Sequence, residues 1–159
     1  MYSVSPTLYH HMKPTEKKPI DILLADDDKD DRFFFGKALK ALPLASTLTV
    51  VNNGEQLMVY LSEKTIPVPD IIFLDLNMPR KNGIECLLEI KRDVRLRKIP
   101  VIIYSTSLRD EVADLLYENG AHYYLHKCDF AELPASISRV VTLLAEHPSQ
   151  PSRDSFIIR

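Results

Sequence analysis

The chain has 159 residues, of which 45% are apolar and 26% charged, with a formal net charge of −2. That size fits one domain with short tails, and the near-neutral balance excludes a strong electrostatic pull toward nucleic acid or an anionic membrane. No apolar run reaches the length of a membrane span, and no charged-then-apolar leader opens the sequence, so a cytoplasmic protein is expected.

Residues 1–18 carry Pro6, Pro14, several lysines and the pair His10-His11 without any period, and read as an N-terminal tail. Ile20 to Ala25 is a short apolar run that ends in Asp26-Asp27-Asp28. Phe34, Phe35, Ala38, Leu39 and Leu42 then fall at helical spacing over Arg32 to Leu42, before Pro43. Leu48 to Val51 predicts a second strand, Asn52-Asn53-Gly54 a turn, and Leu57, Met58 and Leu61 a second helix. Asp70 to Asp75 predicts a third strand, and Ile84, Leu87 and Leu88 a helix after Gly83. Pro100 to Tyr104 predicts a fourth strand, and Val112, Leu115 and Leu116 one face of a helix that stops at Gly120. Tyr123 to His126 predicts a fifth strand, and Phe130, Leu133, Ile137, Val140, Val141 and Leu144 the stripe of a last helix. From Pro148 the chain reads as a polar tail ending in Phe156-Ile157-Ile158-Arg159. The expected layout is therefore a tail over 1–18, one domain over 19–147 and a tail over 148–159.

Five strands alternate with five helices, and the strands are continuously apolar. That is the pattern of an α/β fold whose parallel sheet is doubly wound, with helices covering both faces. Right-handed crossovers bring every strand's C-terminal end to one edge, where ligands bind in such sheets. Strand one ends in Asp26-Asp27, strand three in Asp75, strand four in Ser105-Thr106, and Lys127 follows strand five. Three carboxylates, a hydroxyl and an ammonium therefore meet at one place. Unpaired, the carboxylates repel, by roughly 1 kcal/mol per pair even in water at 4 Å. Such a cluster asks for a cation, and a few hard oxygen ligands suit Mg²⁺. A carboxylate at a strand end can also attack phosphorus. The blander alternative, that one aspartate of 26–28 simply caps the first helix, accounts for only one of them.

With these residues in place, the chain resembles the response-regulator receiver family over roughly Ile20 to Glu146. The resemblance rests on Leu-Leu-Ala-Asp-Asp after strand one, Asp75-x-x-Met78-Pro79-x-x-x-Gly83, Ser105 after Pro-Val-Ile-Ile-Tyr, and Lys127 shortly after Gly120-Ala121. It implies a flavodoxin-like five-stranded sheet of order 2-1-3-4-5 and a stand-alone receiver. It also implies Asp75 as nucleophile and phosphoacceptor, with Mg²⁺ held by Asp27 and Asp75, by Asp26 mostly through a water, and by the backbone carbonyl of Asn77. Lys127 is implied to pair with a phosphoryl oxygen, Ser105 to turn its hydroxyl toward the phosphoryl group, and Tyr124 to follow as the switch aromatic. Asn77 and Ser107 are implied to lie near the path of the water that removes the phosphoryl group. One position departs from the family: Cys128 stands where a proline usually follows the lysine.

The implied partners are a histidine kinase or phosphotransfer protein and a downstream protein target. A homodimer through the face of helix four, strand five and helix five is also open. A metal-dependent phosphatase of the strand-end aspartate type would carry a second aspartate at position 77, where this chain has Asn77. A degenerate receiver acting only as a binding module would require Cys128 to have disabled the site. DNA binding is not expected, because the chain has no basic stripe; Arg92 to Lys98 reads as the solvated end of helix three.

Overall fold

The structure, a computed structural model, describes residues 17–159. The His10-His11 pair lies outside the described residues. Ten elements alternate in the expected order: β1 (Ile20–Ala25), α1 (Lys29–Lys40), β2 (Ser46–Val51), α2 (Gly54–Ser62), β3 (Ile71–Leu74), α3 (Gly83–Arg92), β4 (Val101–Ser105), α4 (Asp110–Glu118), β5 (Tyr123–His126) and α5 (Leu133–Glu146). A further short strand, β6 (Ile157–Ile158), follows a 3-10 turn over Arg153–Ser155. The sheet is wholly parallel, with strand order β2-β1-β3-β4-β5-β6.

Alternate residues of each strand enter opposite core layers, as the two-residue period of a strand requires. Leu23, Ala25, Ile72, Leu74, Val101 and Ile103 face one layer, with Leu57, Leu87, Ile90 and Leu116 from α2, α3 and α4. Ile22, Leu24, Phe73, Ile102 and Tyr104 face the other, with Phe35 and Leu39 of α1 and Ile137 and Val140 of α5. Phe35 stacks edge-on against Phe73 at 4.9 Å between ring centroids. Each large apolar side chain taken fully out of water contributes roughly 1.5–3 kcal/mol. Continuous apolar strands follow directly, because both faces of the sheet are covered.

Register sets the edge where the strands end. Ala25 pairs with Leu74, so the residues that follow them, Asp26 and Asp75, emerge side by side. Their backbones stay in the ladder: Asp26 N–H donates to Val51 O (3.1 Å), and Asp75 N–H to Ala25 O (3.0 Å). Ser105 pairs with His126, and Lys127 N–H donates to Ser105 O (2.9 Å).

Several features depart from the sequence expectation. α1 starts at Lys29 rather than Arg32, because Asp28 caps it and accepts from the N–H groups of Asp30 and Asp31. α5 starts at Leu133, which leaves Phe130 in the preceding loop and 43% exposed. The sheet has six strands rather than five, since part of the segment read as a C-terminal tail pairs with β5. Phe156 is completely buried there, stacked on Tyr117 of α4 at 5.6 Å. The Gln150 side chain donates to Tyr117 O and Ala121 O, and Arg153 pairs with Asp114 of α4 at 2.8 Å. Residues Arg92 to Lys98 leave the helix after Arg92 and turn, so that Leu96 packs into the core while the charged side chains stay outside.

Candidate functional site

The strand ends bring Asp26, Asp27 and Asp75 together, with one carboxylate oxygen from each within 4.8 Å of the others. Asp26 is fully buried and Asp75 is 5% exposed, whereas Asp27 faces solvent. Asp26 Oδ1 accepts from Asp28 N–H (3.0 Å), and Arg32 donates to Asp26 O (2.9 Å), so β1's exit is tied to the start of α1. Beyond β3 the loop is equally constrained. Asp75 Oδ1 accepts from Asn77 N–H (3.3 Å), and Gly83 N–H donates to Leu76 O (3.0 Å). A Cβ at Gly83 would stand 2.2 Å from the carbonyl oxygen of Asp75, which is why the loop closes only on glycine. Arg80, at the apex of the loop, takes a left-handed backbone with φ of 68°.

Lys127 lies in the middle of this cluster. Its Nζ is 2.8 Å from Asp26 Oδ2, 2.9 Å from Asp31 Oδ2 and 3.5 Å from Asp75 Oδ2. Asp26 Oδ2 is buried, and this ion pair with the Lys127 ammonium is what compensates it. The ammonium also lies 5.3 Å from the centroid of the Tyr104 ring. The peptide bond to Cys128 is trans, and Cys128 Sγ lies 3.8 Å from Ser136 Oγ.

Burial governs the electrostatics. Desolvation pushes the Asp75 carboxyl up from 3.8 to about 6, against the attraction of Lys127 and with the repulsion of Asp26 adding to it. Asp26 is also raised by burial, despite Lys127 and the N–H of Asp28. Burial alone would lower Lys127, but Asp26, Asp31 and Asp75 reverse that and hold it well above the usual lysine range. One ammonium thus leaves two buried carboxylates undercompensated. A hard divalent cation among three carboxylates would relieve them, and the all-oxygen donor set fits such an ion.

Ser105 ends β4 fully buried, and its hydroxyl has no hydrogen-bond partner. Tyr124, on the neighbouring strand, is buried and donates its hydroxyl to Ser105 O (3.0 Å). Asn77 and Ser107 are exposed and line a shallow cleft of about 230 Å³ with Leu76, Asn82, Ile84, Arg109 and Val112. Asp31 was not among the residues singled out from the sequence. It lies 96 positions from Lys127, and only its place in the first turn of α1, one turn past the strand-end acids, hints at its reach.

The sequence model of the family described as "Response regulator receiver domain" matches residues 22–138. The chain is 33% identical over 120 residues to response regulator Rcp1 of Synechocystis sp., a match that covers 73% of this chain and 82% of Rcp1. The crystal structure of the Mn²⁺-bound form of Rcp1 superposes with a TM-score of 0.73 at 30% identity, covering 84% of this chain and all of that one. The crystal structure of phosphorylated RcpA, a cyanobacterial phytochrome response regulator, gives a TM-score of 0.72 at 29% identity over 82% of this chain and 96% of that one.

Proposed function

We propose that this chain, which belongs to the response regulator receiver family, accepts a phosphoryl group on Asp75 and relays the signal by protein contact. The observation that carries this reading is the buried Asp75 carboxylate, set beside Asp26 and Asp27 and 3.5 Å from the Lys127 ammonium. The donor is a phosphohistidine on a histidine kinase or phosphotransfer protein, met in the cytoplasm.

An Asp75 oxygen attacks phosphorus in line, the bond from phosphorus to the donor nitrogen breaks, and the imidazole leaves with the electron pair. Asp27, Asp75 and the backbone carbonyl of Asn77, with Asp26 mostly through a water, would hold Mg²⁺, which when bound would supply positive charge against the repulsion between carboxylates and phosphoryl oxygens. Lys127 adds a charged donor on the side of β5. Burial of Asp26 and Asp75 lowers the local dielectric, which strengthens each of these attractions. The Ser105 hydroxyl, free of any partner, is available to a new acceptor on Asp75, and Tyr124 is tied to the backbone of that same residue. A two-state response is thus routed toward α4, β5 and α5, where a target would bind. Attack of water on the same phosphorus breaks its bond to the Asp75 oxygen, releases inorganic phosphate and returns Asp75 to the free carboxylate. The protein is thus a signalling phosphoacceptor, and its only catalysis is on itself.

Intact-protein mass spectrometry after incubation with acetyl phosphate tests the reading. We expect a gain of one phosphoryl group in wild type that needs Mg²⁺ and is absent in Asp75→Asn. No gain in wild type with acetyl phosphate or with a phosphorylated phosphotransfer partner would refute it.

A further inference from the structure

Lys127 is gripped from two sides. Asp26 of the β1 exit and Asp31 of α1 approach its Nζ to 2.8 and 2.9 Å, while Asp75 stands off at 3.5 Å. An ammonium on a flexible four-carbon stem has three donors and no orientation of its own. Two close carboxylates on different elements fix its place, and the third direction is left toward Asp75. The carboxylate on α1 is itself held in place. Asp31 N–H donates to Asp28 Oδ1 (2.9 Å), and Asp28 N–H donates to Asp26 Oδ1 (3.0 Å), so the helix cap links Asp31 back to the same strand end. The turn after Lys127 is held by packing, with Cys128 against the α1–α5 core layer and Phe130 stacked on Phe34 of α1 at 5.1 Å, but none of these contacts touches the ammonium.

We propose that Asp31 is a positioning residue for phosphoryl transfer, which aims the Lys127 ammonium at the Asp75 side of the site from the first turn of α1. The inference rests on the phosphoacceptor reading given above. Asp26 and Asp31 make the two closest approaches to the ammonium, so Lys127 can meet a phosphoryl oxygen on Asp75 and release neither carboxylate. A side chain of the same shape without the charge would keep an acceptor but lose the ionic pull, leaving Asp26 as the one close charged anchor of Lys127. The ammonium would then sample orientations that miss Asp75.

The full chain is tested as wild type, Asp31→Asn, Asp31→Glu, Lys127→Met and the double variant Asp31→Asn/Lys127→Met. Circular dichroism and thermal unfolding check that each is folded. Two readouts are taken: the single-turnover rate of phosphorylation by acetyl phosphate with Mg²⁺, and the Cε resonance of Lys127 in protein carrying ¹³C-lysine, assigned by its loss in Lys127→Met. We expect Asp31→Asn to shift the Lys127 resonance and to slow phosphorylation about tenfold, below the roughly hundredfold that a misplacement of about 1 Å can cost. Asp31→Glu should restore part of the rate. In the Lys127→Met background, removal of Asp31 should change the rate less than about twofold, because the effect passes through the lysine. An unmoved Lys127 resonance, an unchanged or faster rate in Asp31→Asn, or an equal slowing with and without Lys127 would each overturn the inference. Should wild type take no phosphoryl group while the Lys127 resonance responds to Asp31→Asn, the phosphoacceptor reading fails and the hold on Lys127 stands.

Discussion

The Tyr124 hydroxyl donates to the carbonyl of Ser105 across 3.0 Å, while the Tyr124 backbone N–H donates to the carbonyl of Phe156 at 2.9 Å. One residue of β5 therefore bonds at the same time to the strand that ends in the site and to the segment leading into β6. The Ser105 side chain beside it has a buried hydroxyl with no partner. A buried, unsatisfied polar group costs about 1–3 kcal/mol. Ser105→Ala should therefore match or exceed wild-type stability in urea, with no change in slope. A loss above about 1 kcal/mol would show that the hydroxyl is satisfied after all.

In metal-free protein, Asp75→Asn should be more stable than wild type at neutral pH. Burial raises the Asp75 carboxyl from 3.8 to about 6, so the folded state holds this proton more tightly than the unfolded chain. Its contribution is fully present below pH 3.8 and is lost as the pH rises through about 6. The shift corresponds to about 3 kcal/mol at about 1.36 kcal/mol per unit. Paired urea titrations above and below this window should show the gap between variant and wild type closing toward acid. Saturating Mg²⁺ should narrow it at neutral pH, by neutralising the carboxylate that the variant removes. A gap that stays constant with pH would place its origin elsewhere.

His122 should work in the opposite sense. Burial lowers its imidazole from 6.5 to about 4, with the Lys91 ammonium pushing the same way, and its Nδ1 is buried without a partner. The neutral ring belongs to the fold, so this stability is present above pH 6.5 and is lost as the pH falls through about 4. The loss amounts to about 3 kcal/mol. His122→Gln, which cannot titrate, should flatten that part of the acid limb. An acid limb as steep as in wild type would exclude His122 as its source.

Phe156→Ala should destabilise the protein by about 3–5 kcal/mol, the cost of emptying a site that a phenylalanine fills completely. The damage should be visible by hydrogen exchange first at Tyr124 N–H, whose acceptor is Phe156 O. A loss below about 1 kcal/mol would mean that the segment contributes little to the fold.

The strands were the most legible part of the sequence. Ile20–Ala25 and Tyr123–His126 have the bounds that were read, because apolar runs flanked by acids, glycine or lysine leave little freedom. Helix starts were less legible. Three consecutive aspartates compete for the cap of α1, and only the hydrogen bonds to the N–H groups of Asp30 and Asp31 single out Asp28. β6 was hidden because two residues carry no period, and Phe156 acquires its meaning only from Tyr117 across the fold. At the site, strand ends place Asp26, Asp75, Ser105 and Lys127 on one edge by topology alone. The grip of Asp31 on Lys127 depends on helix phase and side-chain reach, which no local pattern encodes.

β6 also settles what the margin of the sheet offers to other chains. Without it, Tyr123-Tyr124-Leu125 would present a row of open N–H and C=O groups on an apolar, β-favouring strand, a template for unwanted strand addition. The partner strand is only two residues long and is followed by Arg159, so the new margin is short and charged. At the opposite margin β2 alternates Thr47 and Thr49 with apolar residues, a less adhesive face. Protection against aggregation on the β5 side therefore depends on a segment secured by Phe156, Gln150 and Arg153, and any change that frees it should shorten the protein's life in concentrated solution before it disturbs the strand ends around Asp75.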